Sequence, residues 1–198
     1  MTKRELVAAT LLMLMTSACA APEEGGRLGK ALSPACPSDI ASTTSRAGKL
    51  WWDANRWRFA SADEAAKVYR KLAEDASPWP DWYVPYEATL ASGTRFQMAI
   101  GGTQTPDSPG SFGTFDHIRS VADVRSNLAV RVGWKPQVDR VVTYEVVKPL
   151  PVRIGPVGPQ VDPANCALLE GRWSQFEANV ERGTLITYLK VIEIRPIR

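Results

Sequence analysis

Proline and glycine decide what this chain can fold into. Ser77-Pro78-Trp79-Pro80 stops the clearest helical period in the sequence, and beyond it turn residues cut the chain into pieces of strand length. The helix opens at Ser61-Ala62-Asp63-Glu64, with a serine positioned as N-cap and acids in the first turn. Ala65, Val68, Tyr69 and Leu72 then follow at helical spacing. After the stop, residues 94–100 alternate in polarity behind a Ser92-Gly93 turn, and residues 101–113 are composed as a loop. Residues 119–129 read as a short helix. Residues 140–148 read as a strand between Pro136 and Pro149, and 152–154, 173–177 and 186–194 are further strand segments. One early helix followed by many short strands predicts an α+β domain.

The N-terminus has the layout of an export signal. Lys3 and Arg4 precede the apolar run over 7–15, and small residues follow from Thr16 to Ala21. The apolar run is too short to span a bilayer, whose hydrocarbon core needs about 20 apolar residues. Two cleavage readings stand side by side. Ala18-Cys19-Ala20 fits ordinary secretion, whereas Thr16-Ser17-Ala18-Cys19 resembles a lipobox that would make Cys19 a lipid anchor. The expected organisation is a leader over 1–20, a flexible Ala/Gly/Ser/Thr/Pro-rich lead-in over 21–48, and a single domain over 49–198. A secreted or periplasmic location follows, membrane-anchored in the lipoprotein case, with no transmembrane segment in the mature chain.

Three cysteines become two once Cys19 is cleaved off or acylated. Cys36 and Cys166 are then an even pair in an oxidising compartment, and a disulfide between them would close a loop worth about 4 kcal/mol. Two unrelated buried thiols are the alternative.

Composition removes several function classes. The net charge is +3, of which Lys3, Arg4 and Glu5 contribute +1, and no basic stripe interleaved with aromatics appears. Nucleic acid is not an expected partner. His117 is the one histidine, so neither a zinc site nor a Ser-His-Asp triad with a GxSxG elbow is supported. Phosphate-cradling glycine loops are missing too, because the prolines of Gly155-Pro156-Val157-Gly158-Pro159 remove the amides such a loop needs. What remains is an ordered polar set: Arg95, Ser111, Thr114, Gln175 and Glu177. Cleavage of the glycosidic bond of NAD needs little more. A guanidinium can hold a pyrophosphate, and an amide or carboxylate beside the ribose can meet an oxocarbenium-like transition state.

The segment from Tyr144 through Gln175 resembles the C-terminal half of the TNT-like NAD glycohydrolase domains. Lys148-Pro149-Leu150-Pro151-Val152, Gly155-Pro156, Pro159 and Gly171-Arg172-Trp173-Ser174-Gln175 follow that family's order of strand, turn and glutamine. The resemblance spans about residues 89–197. It implies an ADP-ribosyltransferase-like mixed sheet, NAD as substrate with no further cofactor, a toxin-like role and an immunity protein as partner. It puts Gln175 in the place of the catalytic glutamine and Arg95 in that of the phosphate-binding arginine, with Arg119 as a second. Gln175-Phe176-Glu177 also has the Q-x-E form of related transferases, in which the glutamate acts at the ribose. Here the arginine lies in Gly93-Thr94-Arg95-Phe96-Gln97 and the glycine-rich approach is Leu169-Glu170-Gly171-Arg172, both departures from the family pattern. Ser111 and Thr114 would order the nicotinamide strand, and Trp173, Phe176 and Phe96 would stack on the nicotinamide. The expected activity is hydrolysis of NAD to nicotinamide and ADP-ribose. A mono-ADP-ribosyltransferase acting on a protein and a non-catalytic envelope binding module are the alternatives.

Overall fold

The computed structural model describes residues 39–198, which belong to one compact unit spanning Ser33–Arg198. The leader, Cys19, Cys36 and the first part of the lead-in lie outside the described residues. Helix begins earlier than the composition implied, because Ser45 caps α1 (Arg46–Asn55) by accepting from the Gly48 amide at 2.9 Å. Helix α2 (Ala62–Glu74) starts where its cap predicts. Ser61 Oγ accepts from the Glu64 amide at 3.1 Å, and the Glu64 carboxylate reaches back to the Ala60 amide at 3.2 Å. The two helices meet through Ala47, Trp51, Ala65 and Tyr69, whose hydroxyl donates to Ile40 O at 2.8 Å. Burial holds that phenol above its usual pKa.

Two antiparallel sheets form the body. In the first, β1 (Tyr86–Leu90), β5 (Leu150–Pro156), β8 (Ser174–Ala178) and β3 (Phe112–Gly113) lie in the order β1-β5-β8-β3. In the second, β2 (Arg95–Ile100), β4 (Arg140–Val146) and β9 (Leu189–Pro196) lie in the order β2-β4-β9. A short hairpin, β6 (Gln160–Asp162) with β7 (Ala167–Leu169), packs beneath the helices. This is an α+β domain, with every ladder among the described residues antiparallel rather than mixed. Chain length dictates the direction for β6 and β7, because residues 163–166 are too few for a parallel crossover. Val147, Lys148 and Pro149 carry the chain from β4 in one sheet to β5 in the other.

The alternation of β2 is the reason it sits where it does. Phe96, Met98 and Ile100 face inward with Val142, Tyr144 and Val146 of β4, while Arg95, Gln97 and Ala99 face the other way. Leu150 and Val152 of β5 and Phe176 of β8 close the core from the other sheet. The Tyr144 hydroxyl donates to Pro106 O at 2.7 Å, and burial lifts its pKa to about 12. The helix expected over 119–129 shrinks to one π-type turn, Asp123–Asn127. Its start is a reciprocal cap: Asp123 accepts from the Arg119 and Ser120 amides, and Ser120 Oγ accepts from the Asp123 amide. Burial opposes the charged carboxyl of Asp123, but those donors outweigh it and hold its pKa below the usual range. The strand expected over 186–194 begins at Leu189, after a 3-10 segment over Arg182–Tyr188.

Gly113 on β3 lies tight against the aromatic core. A Cβ there would stand 2.7 Å from a Phe176 ring atom and 2.9 Å from Phe96. Both rings are fully buried and stacked edge to face at 4.8 Å, so neither can swing away. Gly113→Ala is expected to cost about 1–3 kcal/mol through overpacking. A fall in the urea midpoint at constant slope reads this out; an unchanged midpoint contradicts the packing.

Candidate functional site

The edge of β2 positions a cavity. On one side β2 pairs with β4, but on the other only an isolated bridge joins Gln97 to Thr114. Beyond that bridge, Ala99 O is met by the Lys135 ammonium at 3.0 Å rather than by a strand. A cavity of about 550 Å³ opens there, of the size that takes a small-molecule ligand. Val124, Leu128, Ala129 and Val130 form an apolar wall, and Ser111, Gly113 and Thr114 form the side nearest β3. Ala76 and Pro78, from the strap that follows α2, complete the mouth.

Its charge is one-sided. Lys135 and Arg182 line it, and among the described residues no aspartate or glutamate does. Lys135 also donates to Gln104 Oε1 at 2.6 Å, so it is held by neutral acceptors, and among the described residues no carboxylate offsets its burial. Desolvation pushes its pKa below the usual 10.5 of a lysine, and the Arg182 and Arg125 guanidinium groups push it further down. Arg125 braces the same loop by donating to the carbonyls of Val130, Arg131, Lys135 and Pro136. Trp134, half exposed and lying under the Arg131 guanidinium at 4.9 Å, adds an aromatic face to the lining. Such a lining has unspent positive charge, and an anion would relieve it.

Two glutamines form the opposite part of the wall. Gln175 on β8 is 7% exposed and donates Nε2 to Pro78 O, and Gln160 on β6 is 1% exposed and donates Nε2 to Ser77 O. The Gly158 amide also donates to Pro78 O at 2.9 Å. Successive carbonyls of the strap are thus clamped, which fixes both amides with Nε2 toward the strap. The Gln160 Oε1 atom has no hydrogen-bond partner among the described residues.

The residues expected from sequence divide clearly. Gln175, Ser111 and Thr114 line the cavity. Thr114 Oγ1 donates to Ser174 O at 2.8 Å, and Ser111 O accepts from the Ala178 amide. Arg95 does not line the cavity: strand register sets it opposite Glu145, and the two form an ion pair at 2.8 Å on the exposed face. Glu177 is likewise held by Arg153, its partner across β5 and β8. The Arg119 side chain is exposed and outside the lining. Phe176 and Phe96 stack on one another inside the core, and Trp173 packs with the Val157 and Ala129 cluster, so none of the three reaches the cavity. Phe96 and Phe176 follow the inward face of their strands, where burial is most favourable, and Trp173 lies in the bend just before β8. His117 meets Gln97 Nε2 at 3.2 Å and lies outside the lining. Cys166 lies at a positive φ of 50°, and the disulfide partner expected for it, Cys36, lies outside the described residues. Lys135, Arg182, Gln160 and Trp134 were invisible to sequence reasoning, since no spacing links residues so far apart in the chain.

A second groove, of about 600 Å³, lies between α1 and the segment 80–82. Its charges are already neutralised: Arg58 pairs with Asp81 at 2.9 Å, and Arg172 pairs with Glu170. In the first cavity, by contrast, Lys135 and Arg182 have no acidic residue beside them in the lining among the described residues.

No protein-family model matches the sequence, and no curated protein is significantly similar to it. Among solved structures, Tne2 in complex with Tni2 aligns with 20% identity and a TM-score of 0.49, over 61% of this chain and 99% of that one. Rhs1-CT in complex with its cognate immunity protein RhsI1 aligns with 15% identity and a TM-score of 0.36, over 57% and 80%. Tse6 in complex with Tsi6 aligns with 16% identity and a TM-score of 0.35, over 73% and 93%. At these scores the likeness assigns no activity to the chain.

Proposed function

We propose that the cavity beside β2 binds NAD and that the protein hydrolyses it to nicotinamide and ADP-ribose. One observation carries the reading: a cavity of ligand size whose charged lining residues are Lys135 and Arg182, with the buried amide of Gln175 in the same wall. A pyrophosphate supplies the negative charge that this lining lacks. Trp134 offers a face for a planar ring. The resemblance of the segment from Tyr144 to Gln175 to the TNT-like domains supports the same substrate and the same glutamine.

The chemistry follows from where charge moves. The bond between the ribose C1′ and the pyridinium nitrogen breaks, and its electron pair neutralises the ring, which leaves as nicotinamide. Positive charge develops at C1′. With Nε2 of Gln175 donating to Pro78 O, its carbonyl oxygen is the atom left to face that charge. Water adds to C1′ and releases one proton, so the products are nicotinamide, ADP-ribose and H⁺. Lys135 and Arg182 hold the pyrophosphate and so fix the ribose against Gln175. Arg95 and Glu177 have no direct role, because each is committed to an ion pair outside the cavity.

Export, a Cys36–Cys166 bond, lipidation at Cys19 and an immunity partner belong to the same proposal and rest on the sequence. A second reading, a binding module without turnover, is favoured by the lack of any carboxylate lining the cavity among the described residues. Incubating NAD with the purified protein separates the two: hydrolysis gives nicotinamide and ADP-ribose in equal amounts, whereas bound but intact NAD leaves only the binding module.

A further inference from the structure

The lining of the cavity has an order along β2. At one end Thr114 bridges Gln97 through backbone hydrogen bonds of 2.8 and 3.0 Å. Its Oγ1 donates to the carbonyl of Ser174, the residue before Gln175. Two residues further along the strand, about 7 Å away, Ala99 O accepts from the Lys135 ammonium. The lysine side chain reaches back to the strand edge from its own loop, so Trp134, which precedes it, stands further out. Exposure follows the same order, since Gln175 is 7% exposed and Trp134 is 50% exposed. All of these side chains except that of Ser174 line the one cavity. The sequence of groups is thus the glutamine assigned to the ribose C1′, the lysine assigned to the pyrophosphate, and then an indole toward the mouth.

What surrounds the indole suits a flat ring. The Arg131 guanidinium stands over it at 4.9 Å, and the Trp134 amide donates to Arg131 O at 3.2 Å, so the ring is backed and held in place. Leu128, Ala129 and Val130 of the same loop add apolar lining. Gln104, which lines the cavity beside Lys135, is committed at both ends: Oε1 accepts from the lysine and Nε2 donates to Ser108 O at 2.9 Å. This end of the cavity therefore offers a ligand surface more than hydrogen bonds. In NAD, the group that lies across the pyrophosphate from the scissile bond is adenosine. We infer that Trp134 is a specificity-determining residue that stacks on the adenine and recognises the base by its face, not by its edge. This rests on the dinucleotide reading above. The site would then demand a purine without reading its 6-amino group.

The test measures ADP-ribose affinity together with kcat/KM for NAD, for its hypoxanthine analogue and for nicotinamide mononucleotide, which has no base beyond the scissile bond. Trp134→Ala is expected to weaken ADP-ribose and to lower kcat/KM for NAD by about 10-fold. Trp134→Phe should recover most of that loss, and the mononucleotide should lose nothing in either variant. The wild type should turn over the hypoxanthine dinucleotide within a few-fold of NAD. A wild type that rejects the hypoxanthine analogue overturns the inference, with or without a folded variant, because the edge is then being read. So does an equal loss for the mononucleotide, since Trp134 would only support the Lys135 loop, and so does a phenylalanine variant no better than alanine. A wild type that neither binds ADP-ribose nor releases nicotinamide from NAD overturns the dinucleotide reading and this inference together. One that does both, with ADP-ribose affinity unchanged by Trp134→Ala, overturns this inference alone.

Discussion

Gln175→Ala is expected to slow nicotinamide release by about 10²- to 10³-fold, the usual effect of removing one preorganised dipole from a developing charge. The effect should fall on kcat. ADP-ribose lacks the scissile bond, and its binding should stay close to the wild-type value because Lys135 and Arg182 remain. The amide is buried at 7% exposure and tied to Pro78, so no water replaces it cheaply and its oxygen is already placed when substrate enters. Single-turnover kinetics with NAD, together with a binding isotherm for ADP-ribose, separate the two quantities. Equal losses in both would make Gln175 a support of the strap and not a catalytic residue.

The second large effect is electrostatic. Replacing Lys135 and Arg182 together by methionine should weaken ADP-ribose by about 100-fold, taking roughly 1.5–3 kcal/mol for each charge-assisted contact and discounting the exposed Arg182. The wild-type affinity should also fall as salt is raised, and that dependence should flatten in the double variant. The pH dependence has a definite sign. Lys135 starts with a depressed pKa, and a bound pyrophosphate restores the preference for the ammonium form, so the complex holds more protons than the free protein. Affinity is complete below the depressed value and declines as pH rises through it, in a window that opens below 10.5. Arg182 stays charged throughout, so part of the affinity remains. Lys135→Met should abolish the decline, and a pH-independent wild type would contradict the role given to Lys135.

The residues show why the sequence revealed the scaffold more readily than the site. Ser61, with its acids and helical period, marked the start of α2, and the alternation over 94–100 and 140–148 marked β2 and β4. Those signals are local. Strand register is not, and it is register that sets Arg95 against Glu145 and Glu177 against Arg153, 50 and 24 residues apart. A strand arginine thus looked available when its partner was fixed by the sheet. Gln175 was legible through its motif context. Lys135, Arg182 and Gln160 come from three unrelated segments that meet only because the edge of β2 ends in an unpaired stretch beside the strap. Nothing in Trp134-Lys135-Pro136 or Glu181-Arg182-Gly183 marks a ligand site.

The most direct measurement is the crystal structure of the protein soaked or grown with ADP-ribose. The pyrophosphate should lie against Lys135 and Arg182, with the ribose C1′ facing the Gln175 side chain. Density in the groove between α1 and residues 80–82, or none in the cavity at a concentration that saturates binding in solution, would contradict the account.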